Sequence, residues 1–286
     1  MGIASLRREY HKRICAEIIR ISKSKSRKDY PNFADGTNKG SIAIAWGVVK
    51  HLGCAIEASN INGQTAGRLF EQITKDFLVK AFPMLHHLRP AERVYSVEDG
   101  ISHYAQYAHL SDFVRLVKQS SELESTVGLA YIVTPDVVIG RQPVSDVEIN
   151  AREEVLGPGD PYARLTPFRA TNLQRPRPIL HASISCKWTL RSDRAQNARA
   201  EALNLIRDRK GHLPHVVAVV AEPQPTRIAS LALGTGDLDC VYHFALPELQ
   251  EAVEQAQNEA QMEMLRTLVD GGRLRDISDL PFDLAT

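Results

Sequence analysis

The chain contains few cysteines, and none of them shows the paired spacing that holds zinc. There are four among 286 residues, Cys15, Cys54, Cys186 and Cys240, and no two of them form a CxxC motif. This scatter argues for the reduced thiols of a cytosolic protein and against a zinc site or a disulfide framework. No apolar run approaches the roughly 18 residues of a membrane span. The basic N-terminus lacks the apolar segment and cleavage site of a secretory signal, so we expect a cytoplasmic protein without membrane contact.

A large net charge is absent as well. The 35 Lys and Arg residues nearly balance 34 Asp and Glu residues, which gives a formal charge of +1. This balance excludes a histone-like polycation but not an enzyme with a local basic groove. With 43% hydrophobic residues, a chain of this length can bury a sizeable core. No linker-like composition divides it, and we expect residues 1–286 to form a single domain with an N-terminal helical elaboration.

The first half of the chain shows mainly helical periodicity, and the second half alternates between strand and helix patterns. The predicted helices are 6–22, 41–52, 65–82, 104–124, 192–210, a short one after Pro225, and 247–269; the predicted strands are 129–139, 179–188, 215–220 and 238–244. Residues 22–28 are expected to form a solvated connector, and the proline-rich segment 157–178 an ordered surface excursion. This alternation predicts the α/β class, with a central mixed β-sheet flanked by helices.

The predicted strand 181–188 alternates in polarity. One face carries His181, Ser183, Ser185 and Lys187, and the other carries Ala182, Ile184, Cys186 and Trp188. The pattern predicts one packed face and one polar face. For an arbitrary strand, a sheet edge with a solvated side would explain it.

Asp136 is a reason to consider the polar face of that strand as part of a functional site. It follows Pro135 inside an otherwise apolar stretch, where a carboxylate is costly to bury unless a cation or donors meet it. Asp136, Lys187 and Glu201 together fit metal-assisted phosphodiester hydrolysis, because Mg²⁺ favours oxygen ligands and activates water. Lys187 could orient that water or hold a phosphate oxygen. Taken alone, Glu201 also fits a glutamate at the rim of the apolar stripe of its helix.

Arg191, Asp193 and Arg194 follow the lysine directly. Arginine can grip guanine O6 and N7, and aspartate can accept from the cytosine amino group. Their position at a predicted helix N-terminus is favourable next to phosphate. The alternative is an ordinary helix start, with Ser192 or Asp193 as the N-cap and solvated arginines.

The residues 180–199, LHASISCKWTLRSDRAQNAR, resemble the catalytic segment of the NgoMIV family of type IIF restriction endonucleases. The resemblance continues through GQT at 63–65, QYAHL at 106–110, TPD at 134–136, AEP at 221–223, DCVYHFAL at 239–246 and DISDLP at 276–281. It covers nearly the whole chain, least clearly the first thirty residues and the proline-rich excursion. It implies a PD-(D/E)xK nuclease fold, Mg²⁺ dependence and double-stranded DNA as the substrate.

The resemblance also implies roles for individual residues. The usual superfamily acid two residues before the lysine is replaced here by Ser185, and in this subfamily Glu201 takes the role of that acid. Asp136 is then the main metal ligand, the Cys186 backbone carbonyl is a second ligand, and Glu71 is a further acidic position.

The DNA-reading positions carry over in the same way. Arg191, Asp193 and Arg194 match residues that read a central CCGG, whereas Asp35 and Gln64 match positions that contact the outer G·C pairs. The implied target is GCCGGC, cut after the first G to leave four-base 5′ ends. The family implies a homotetramer of two back-to-back dimers, for which the predicted 247–269 helix could supply an interface. It also implies a cognate DNA methyltransferase in the same system, without stable binding.

Two other functions fit the same chemistry. A repair or structure-specific nuclease of the PD-(D/E)xK type would use the same metal site, but the Arg-Ser-Asp-Arg run after the lysine argues against cutting without sequence preference. A non-catalytic DNA-binding module would be expected to lose an acid or the lysine, yet Asp136, Lys187 and Glu201 are all present.

Overall fold

The computed structural model describes residues 2–23, 29–56, 59, 61–127, 133–170, 176–234 and 236–286. The α-helices there are α1 Ile3–Arg13, α2 Lys39–Leu52, α3 Gly63–Ala81, α4 Ala108–Lys118, α5 Ser121–Val127, α6 Asp146–Ile149, α7 Ser192–Asp208, α8 Pro225–Ala232, α9 Leu246–Gln255, α10 Glu259–Asp270 and α11 Leu280–Asp283. The strands are β1 Ile21–Ser22, β2 Tyr30–Pro31, β3 Arg93–Val97, β4 Val137–Arg141, β5 Ile179–Lys187, β6 His215–Val220, β7 Cys240–His243 and β8 Leu274–Asp276. No helix in these ranges is long and apolar enough to cross a membrane.

Six of the strands form one mixed sheet, in the order β3-β4-β5-β6-β7-β8. β3 runs antiparallel to β4, whereas β7 runs parallel to both β6 and β8. The prediction of a mixed sheet flanked by helices is confirmed. β1 and β2 form a separate antiparallel pair.

β5 is buried along almost its whole length. All residues from Leu180 to Cys186 are buried, including Ser183 and Ser185, which are 4% and 8% exposed. The polar face of the predicted strand is therefore buried as well, and the alternative of a sheet edge with a solvated side is wrong. β5 has a neighbouring strand on each side, and an inner strand between helical layers is covered on both faces.

α2 and α3 follow the predictions closely. Asn38 accepts a hydrogen bond from Ser41 N (3.0 Å) at the start of α2, and Gly53 closes this helix with a φ of 67°. The buried side of α3 contains apolar residues at helical spacing: Ala66, Phe70, Ile73, Phe77 and Ala81. Asn62 accepts a hydrogen bond from Thr65 N (2.7 Å), so α3 begins two residues earlier than predicted.

The N-terminal helix is shorter than predicted. α1 ends at Arg13, a π-helical turn covers Ile14–Ile18, and β1 begins at Ile21. Residues 24–28 of the predicted connector lie outside the described residues.

The expectation of reduced thiols is wrong for two of the four cysteines. The π-helical turn brings Cys15 close to Cys54, just past the end of α2, and the pair forms a disulfide with a Cα–Cα distance of 5.3 Å. That distance lies within the usual range for a disulfide. Cys186 and Cys240 are buried and are not disulfide-bonded.

Three other predicted elements are divided or shortened. The 247–269 helix is two helices, because Gln257 adopts a positive φ of 50° and Asn258 caps α10 through Gln261 N (3.2 Å). The 104–124 helix is a 3₁₀ turn followed by α4 and α5. The 129–139 strand begins only at Val137, and residues 129–132 of it lie outside the described residues.

The chain divides into two compact units. The first contains Met1–Arg89, Ile184–Leu203 and Val216–Thr286, and the second contains Pro90–Ser183 and Asn204–His215. Within the second unit the Gln106 amide both donates to Leu180 O and accepts from Leu180 N, each at 2.8 Å. The expectation that residues 1–286 form a single domain stays a prediction.

Candidate functional site

The end of β5 is anchored by an aromatic cluster. Trp188, the residue after Lys187, is 4% exposed. Its ring lies 5.3 Å from that of Phe70, 5.5 Å from that of Phe33 and 5.9 Å from that of Phe244, measured between centroids. Buried aromatic rings in tilted and edge-on contact hold one another in defined orientations. This packing fixes the backbone where the catalytic lysine is predicted.

Lys187 and Glu201 are both half-buried in the first unit. The main-chain carbonyl of Lys187 accepts a hydrogen bond from Ala221 N (3.1 Å), which ties the end of β5 to the segment after β6. Glu201 lies on α7 beside the buried residues Ala198 and Ala202, as the apolar stripe predicted. Glu71, on α3, is half-buried in the same unit.

Asp136 lies immediately before β4, in the second unit. Its side chain is half-buried between buried Pro135 and Val137, and its main-chain carbonyl accepts a hydrogen bond from Glu98 N (3.3 Å). Asp136 therefore lies directly before the strand, whereas the predicted strand 129–139 included it. Within the described residues, no group of three or more His, Cys, Asp or Glu side chains is arranged to hold a metal ion.

The residues predicted to read the central bases are open to solvent. Arg191, Asp193 and Arg194 are all exposed, in and just before the first turn of α7. The Arg191 carbonyl accepts a hydrogen bond from Ala195 N (3.0 Å). The Arg194 guanidinium turns back to the Thr189 hydroxyl and carbonyl. The charged groups at the start of this helix are thus presented to the outside, as base reading requires.

A cleft of about 590 Å³ contains two of the predicted DNA-reading residues, Asp35 and Arg191. Distant parts of the first unit supply its walls: Asp35, Thr37, Leu190, Arg191, Ser192, Thr226, Arg227 and Ser230. Gln64 is not among these lining residues; it is exposed in the first turn of α3.

The Asp35 side chain is held in a rigid turn. One carboxylate oxygen accepts from Thr37 N (2.8 Å) and from the Thr37 hydroxyl (2.7 Å), and the other is paired with the Arg227 guanidinium. These Thr37 hydrogen bonds, helped by Arg227, lower the pKa of Asp35 to about 2. The Asp35 amide donates to the hydroxyl of buried Ser41 (2.9 Å). Asp35 is therefore a fixed anion over the whole neutral pH range.

Gly36 allows this turn to form. A Cβ at Gly36 would lie 2.3 Å from the Cζ atom of Tyr30 and 2.4 Å from its hydroxyl oxygen. No side chain fits there unless the ring moves.

Arg227 and Glu222 are two further residues of this region that were not predicted from the sequence. Arg227 lies on α8, without a local motif to mark it. Glu222 is 1% exposed and accepts hydrogen bonds from Leu190 N (3.3 Å) and Gln224 N (3.2 Å). Burial raises the pKa of Glu222 to about 7, against the opposing effect of Arg227. A carboxylate at the end of an apolar strand, the same signal that marked Asp136, could have identified Glu222.

Comparison with known proteins identifies the family. A model of the NgoMIV restriction enzyme family matches residues 10–286. The type II restriction enzyme NgoMIV of Neisseria gonorrhoeae is 46% identical over 257 residues, which cover 88% of each chain. The chain belongs to the NgoMIV restriction enzyme family. The predicted class of enzyme, a type II restriction endonuclease, is confirmed by this membership.

Solved structures of the Bse634I restriction endonuclease are also similar. One is 12% identical with a TM-score of 0.34 and covers 85% of this chain and 97% of its own. A second, Bse634I as a type IIF enzyme with cognate DNA, is 13% identical with a TM-score of 0.33 and covers 94% and 98%. At these scores the structural likeness carries no weight, and the family assignment rests on the sequence matches.

Proposed function

We propose that this restriction endonuclease cuts double-stranded DNA at GCCGGC, after the first G, in a Mg²⁺-dependent reaction. The observation that carries the target is the cleft that contains both Asp35 and Arg191. Residues expected to read outer and inner base pairs thus line one surface, as the reading of one continuous sequence requires.

The outer pair is read by Asp35 together with Arg227. An arginine can donate to guanine O6 and N7, and a carboxylate can accept from the cytosine amino group. Asp35 and Arg227 are already paired with each other in the cleft, so the two groups offer the donors and the acceptor that one G·C pair needs. Gln64, exposed at the start of α3, contributes a further contact to the outer pair.

The inner CCGG is read by Arg191, Asp193 and Arg194. All three are exposed at the beginning of α7. The positive end of this helix favours the approach of phosphate. Because Trp188 is packed in the aromatic cluster, the reading residues start only three positions after a fixed point of the backbone.

The reacting phosphate lies beside Lys187 in this proposal. The Lys187 ammonium group would hold a phosphate oxygen and orient the attacking water. Glu201 and Glu71 supply additional carboxylates, and Ser185 occupies the position of the usual superfamily acid. Since Ser185 is buried in β5, its role is to shape the strand next to Lys187 rather than to bear charge.

The proposed metal ligands fit Mg²⁺ by their chemistry. Mg²⁺ takes hard oxygen donors, and the Asp136 carboxylate and the Cys186 carbonyl are both of this kind. Because Mg²⁺ prefers oxygen to sulfur, the Cys186 main chain and not its thiol is the proposed donor. When bound, the ion lowers the pKa of a water molecule and offsets charge on the phosphate.

A homotetramer that acts on two sites is part of the proposal. α9 packs its apolar face on α2, so it is not free to form the interface first considered for the 247–269 region. The segment that begins with α6 and continues to Arg169 instead exposes large apolar side chains: Val147, Val155, Tyr162 and Leu165, the last of them 96% exposed. Arg169 pairs with Asp146 (2.8 Å) and holds the two ends of this segment together. Exposed apolar side chains concentrated in one segment are candidates for an association surface.

The proposal is completed by a cytoplasmic location, a single-domain chain and a cognate methyltransferase that protects host DNA without stable binding to the nuclease.

Mapping of the cut ends is the direct test of the target sequence. DNA of known sequence is digested with and without Mg²⁺, and the ends are sequenced. We expect cuts only at G/CCGGC and only with the metal; cuts at another sequence, or without a fixed sequence, would refute the target.

The tetramer needs a separate measurement. Plasmids with one and with two target sites are digested at low enzyme concentration. A tetramer that binds two sites is expected to cut the two-site plasmid faster, whereas equal rates per site would contradict it.

A further inference from the structure

Glu222 connects the two walls of the cleft through the backbone. One of its carboxylate oxygens accepts from Leu190 N at 3.3 Å and the other accepts from Gln224 N at 3.2 Å. Leu190 directly precedes Arg191. Gln224 is the N-cap residue of α8, and its carbonyl accepts a hydrogen bond from Arg227 N (2.9 Å). The Glu222 side chain is thus bonded to Leu190, the residue before Arg191. It is also bonded to Gln224, which caps the helix that carries Arg227.

The position of Glu222 is costly for an acid. The side chain is 1% exposed, and an isolated carboxylate loses its hydration when it is buried. Two backbone N–H donors recover part of this cost, because hydrogen bonds to a charged acceptor are about twice as strong as neutral ones. A geometric role at the cleft explains why an acceptor with two oxygens occupies this position.

The far side of α8 is held independently. Gln261 of α10 accepts from Thr226 N (3.1 Å) and donates to the Thr226 hydroxyl (2.9 Å). Gln261 therefore fastens α8 to α10, whereas Glu222 fastens α8 to the segment that leads into α7. Of the two, only Glu222 couples the backbone of Arg191 to that of Arg227.

We infer that Glu222 is a positioning residue that sets the spacing between Arg191 and Arg227 and thereby determines how strictly the enzyme distinguishes its target from related sequences. This inference rests on the proposed function of the cleft. Glu222 does not reach the bases or the reacting phosphate; it acts through the two backbone segments that it joins.

The test measures discrimination, not only rate. Cleavage rates are compared on GCCGGC and on ACCGGT, which keeps the central CCGG and changes both outer pairs. The ratio of the two rates is determined for wild type, Glu222→Ala and Glu222→Gln. We expect Glu222→Ala to lower the ratio by roughly tenfold or more, the range of one lost base contact. Glu222→Gln keeps one oxygen acceptor but sets its NH2 group against the second N–H donor, so it is expected to give a ratio between those of wild type and Glu222→Ala.

Two further variants separate positioning from stability. Leu6→Ala removes a buried side chain of α1 that does not line the cleft, and is expected to lower stability while leaving the ratio unchanged. Glu222→Asp keeps the charge, but its side chain is too short to reach both N–H groups. It replaces Glu222→Ala in the test if that variant does not fold. An unchanged ratio in folded Glu222→Ala or Glu222→Asp, or an equal drop in Leu6→Ala, would overturn the inference.

Failure of the proposed target is recognised independently. If wild-type enzyme prefers a sequence other than GCCGGC, the proposed target is wrong, and the ratio is measured against that preferred sequence instead. The Glu222 inference then stands or falls on the variants alone.

Discussion

The carboxylate of Asp35 is paired with the guanidinium of Arg227, 192 positions later in the chain. Asp35 is already held by Thr37, so the pair is ordered before any DNA enters the cleft. Each group neutralises its partner, which lowers the cost of holding both charges there while the cleft is empty. Preorganised polar groups of this kind lose little conformational freedom on binding. The pair therefore favours selective reading of one base pair.

Arg227→Ala should relax discrimination at the outer base pairs. Loss of a bidentate guanine contact costs about 1–3 kcal/mol, so the ratio of cutting at GCCGGC to cutting at ACCGGT should fall roughly tenfold. Competition cleavage on a mixture of both sequences measures this ratio. Arg266→Ala removes an exposed arginine from α10 and is the matched control. If Arg227→Ala and Arg266→Ala have equal ratios, Arg227 does not read the outer pair.

Arg191→Ala should act on the central bases instead. We expect a loss of about 1–3 kcal/mol in discrimination against sites altered within CCGG. Competition binding with labelled GCCGGC duplex and unlabelled altered duplexes measures this loss. Arg207→Ala, an exposed change in the last turn of the same helix, removes the same charge. Unaltered specificity in Arg191→Ala would count against its role.

Asp136→Ala should abolish cleavage while specific binding remains measurable. The carboxylate is proposed to hold the metal, whereas the reading residues belong to other segments of the chain. Cleavage is followed on a plasmid with Mg²⁺, and binding by gel shift on a cognate duplex. Asp112→Ala, an exposed acid on α4, should cut like wild type. Wild-type cutting by Asp136→Ala would remove Asp136 from the site.

These predictions depend on local and non-local information in different proportions. The apolar stripe of α3 and both ends of β6 could be read from the sequence, because helices and strands impose their own spacing on buried residues. Asp136 could be found because a carboxylate is conspicuous in an apolar stretch. The burial of Ser185 could not be predicted from the sequence, since it depends on which strands lie beside β5. The pairing of Asp35 with Arg227, and of Cys15 with Cys54, is produced by the tertiary fold and leaves no local pattern.

The break between α9 and α10 could not be predicted from the sequence either, although it involves neighbouring residues. No glycine or proline marks it, and Gln257 adopts its positive φ within a sequence that continues the helical periodicity. Asn258 is the one local signal, because asparagine is a favoured N-cap. Its capping of α10 shows that a polar residue within a periodic stretch can begin a new helix.

Glu222 should give the stability of the protein a pH dependence that Glu222→Gln lacks. Its pKa is about 7 in the folded protein against an ordinary value of 4.5, so the folded state binds more protons between these values. Stability attributable to Glu222 is then full below about pH 4.5 and is lost as pH rises to about 7.

Denaturant unfolding at pH 5, 6, 7 and 8 measures this effect. Between pH 5 and 8 the free energy of unfolding of Glu222→Gln should rise relative to wild type, by on the order of 3 kcal/mol at most. Any constant cost of the amide cancels in this comparison. Parallel pH profiles for the two proteins would contradict the raised pKa.

Gly47→Ala should destabilise the fold although alanine is the better helix former. Gly47 lies where α2 crosses α9, and a Cβ there would lie 2.6 Å from the Cβ of Ala252 and 3.1 Å from its Cα. Forcing the helices apart costs about 1–3 kcal/mol, more than the roughly 1 kcal/mol gained in helix propensity.

Thermal unfolding of the matched variant Gly67→Ala provides the comparison for Gly47→Ala. Gly67 lies within α3, and the nearest atom to its added Cβ would be a Glu71 oxygen at 3.9 Å. Its melting temperature should rise, whereas that of Gly47→Ala should fall. Equal shifts of the same sign would show that the crossing of α2 and α9 tolerates a methyl group.

The Cys15–Cys54 disulfide closes a covalent ring across 39 positions of the chain, and the Asp35 turn is part of this ring because it lies between the two cysteines. Reduction of the disulfide raises the conformational entropy of the unfolded chain. For a loop of this length, that lowers the free energy of unfolding by about 4 kcal/mol. Preparations made with and without a thiol reductant are thus chemically different enzymes. The reductant in the digestion buffer becomes a variable in any measurement of fidelity.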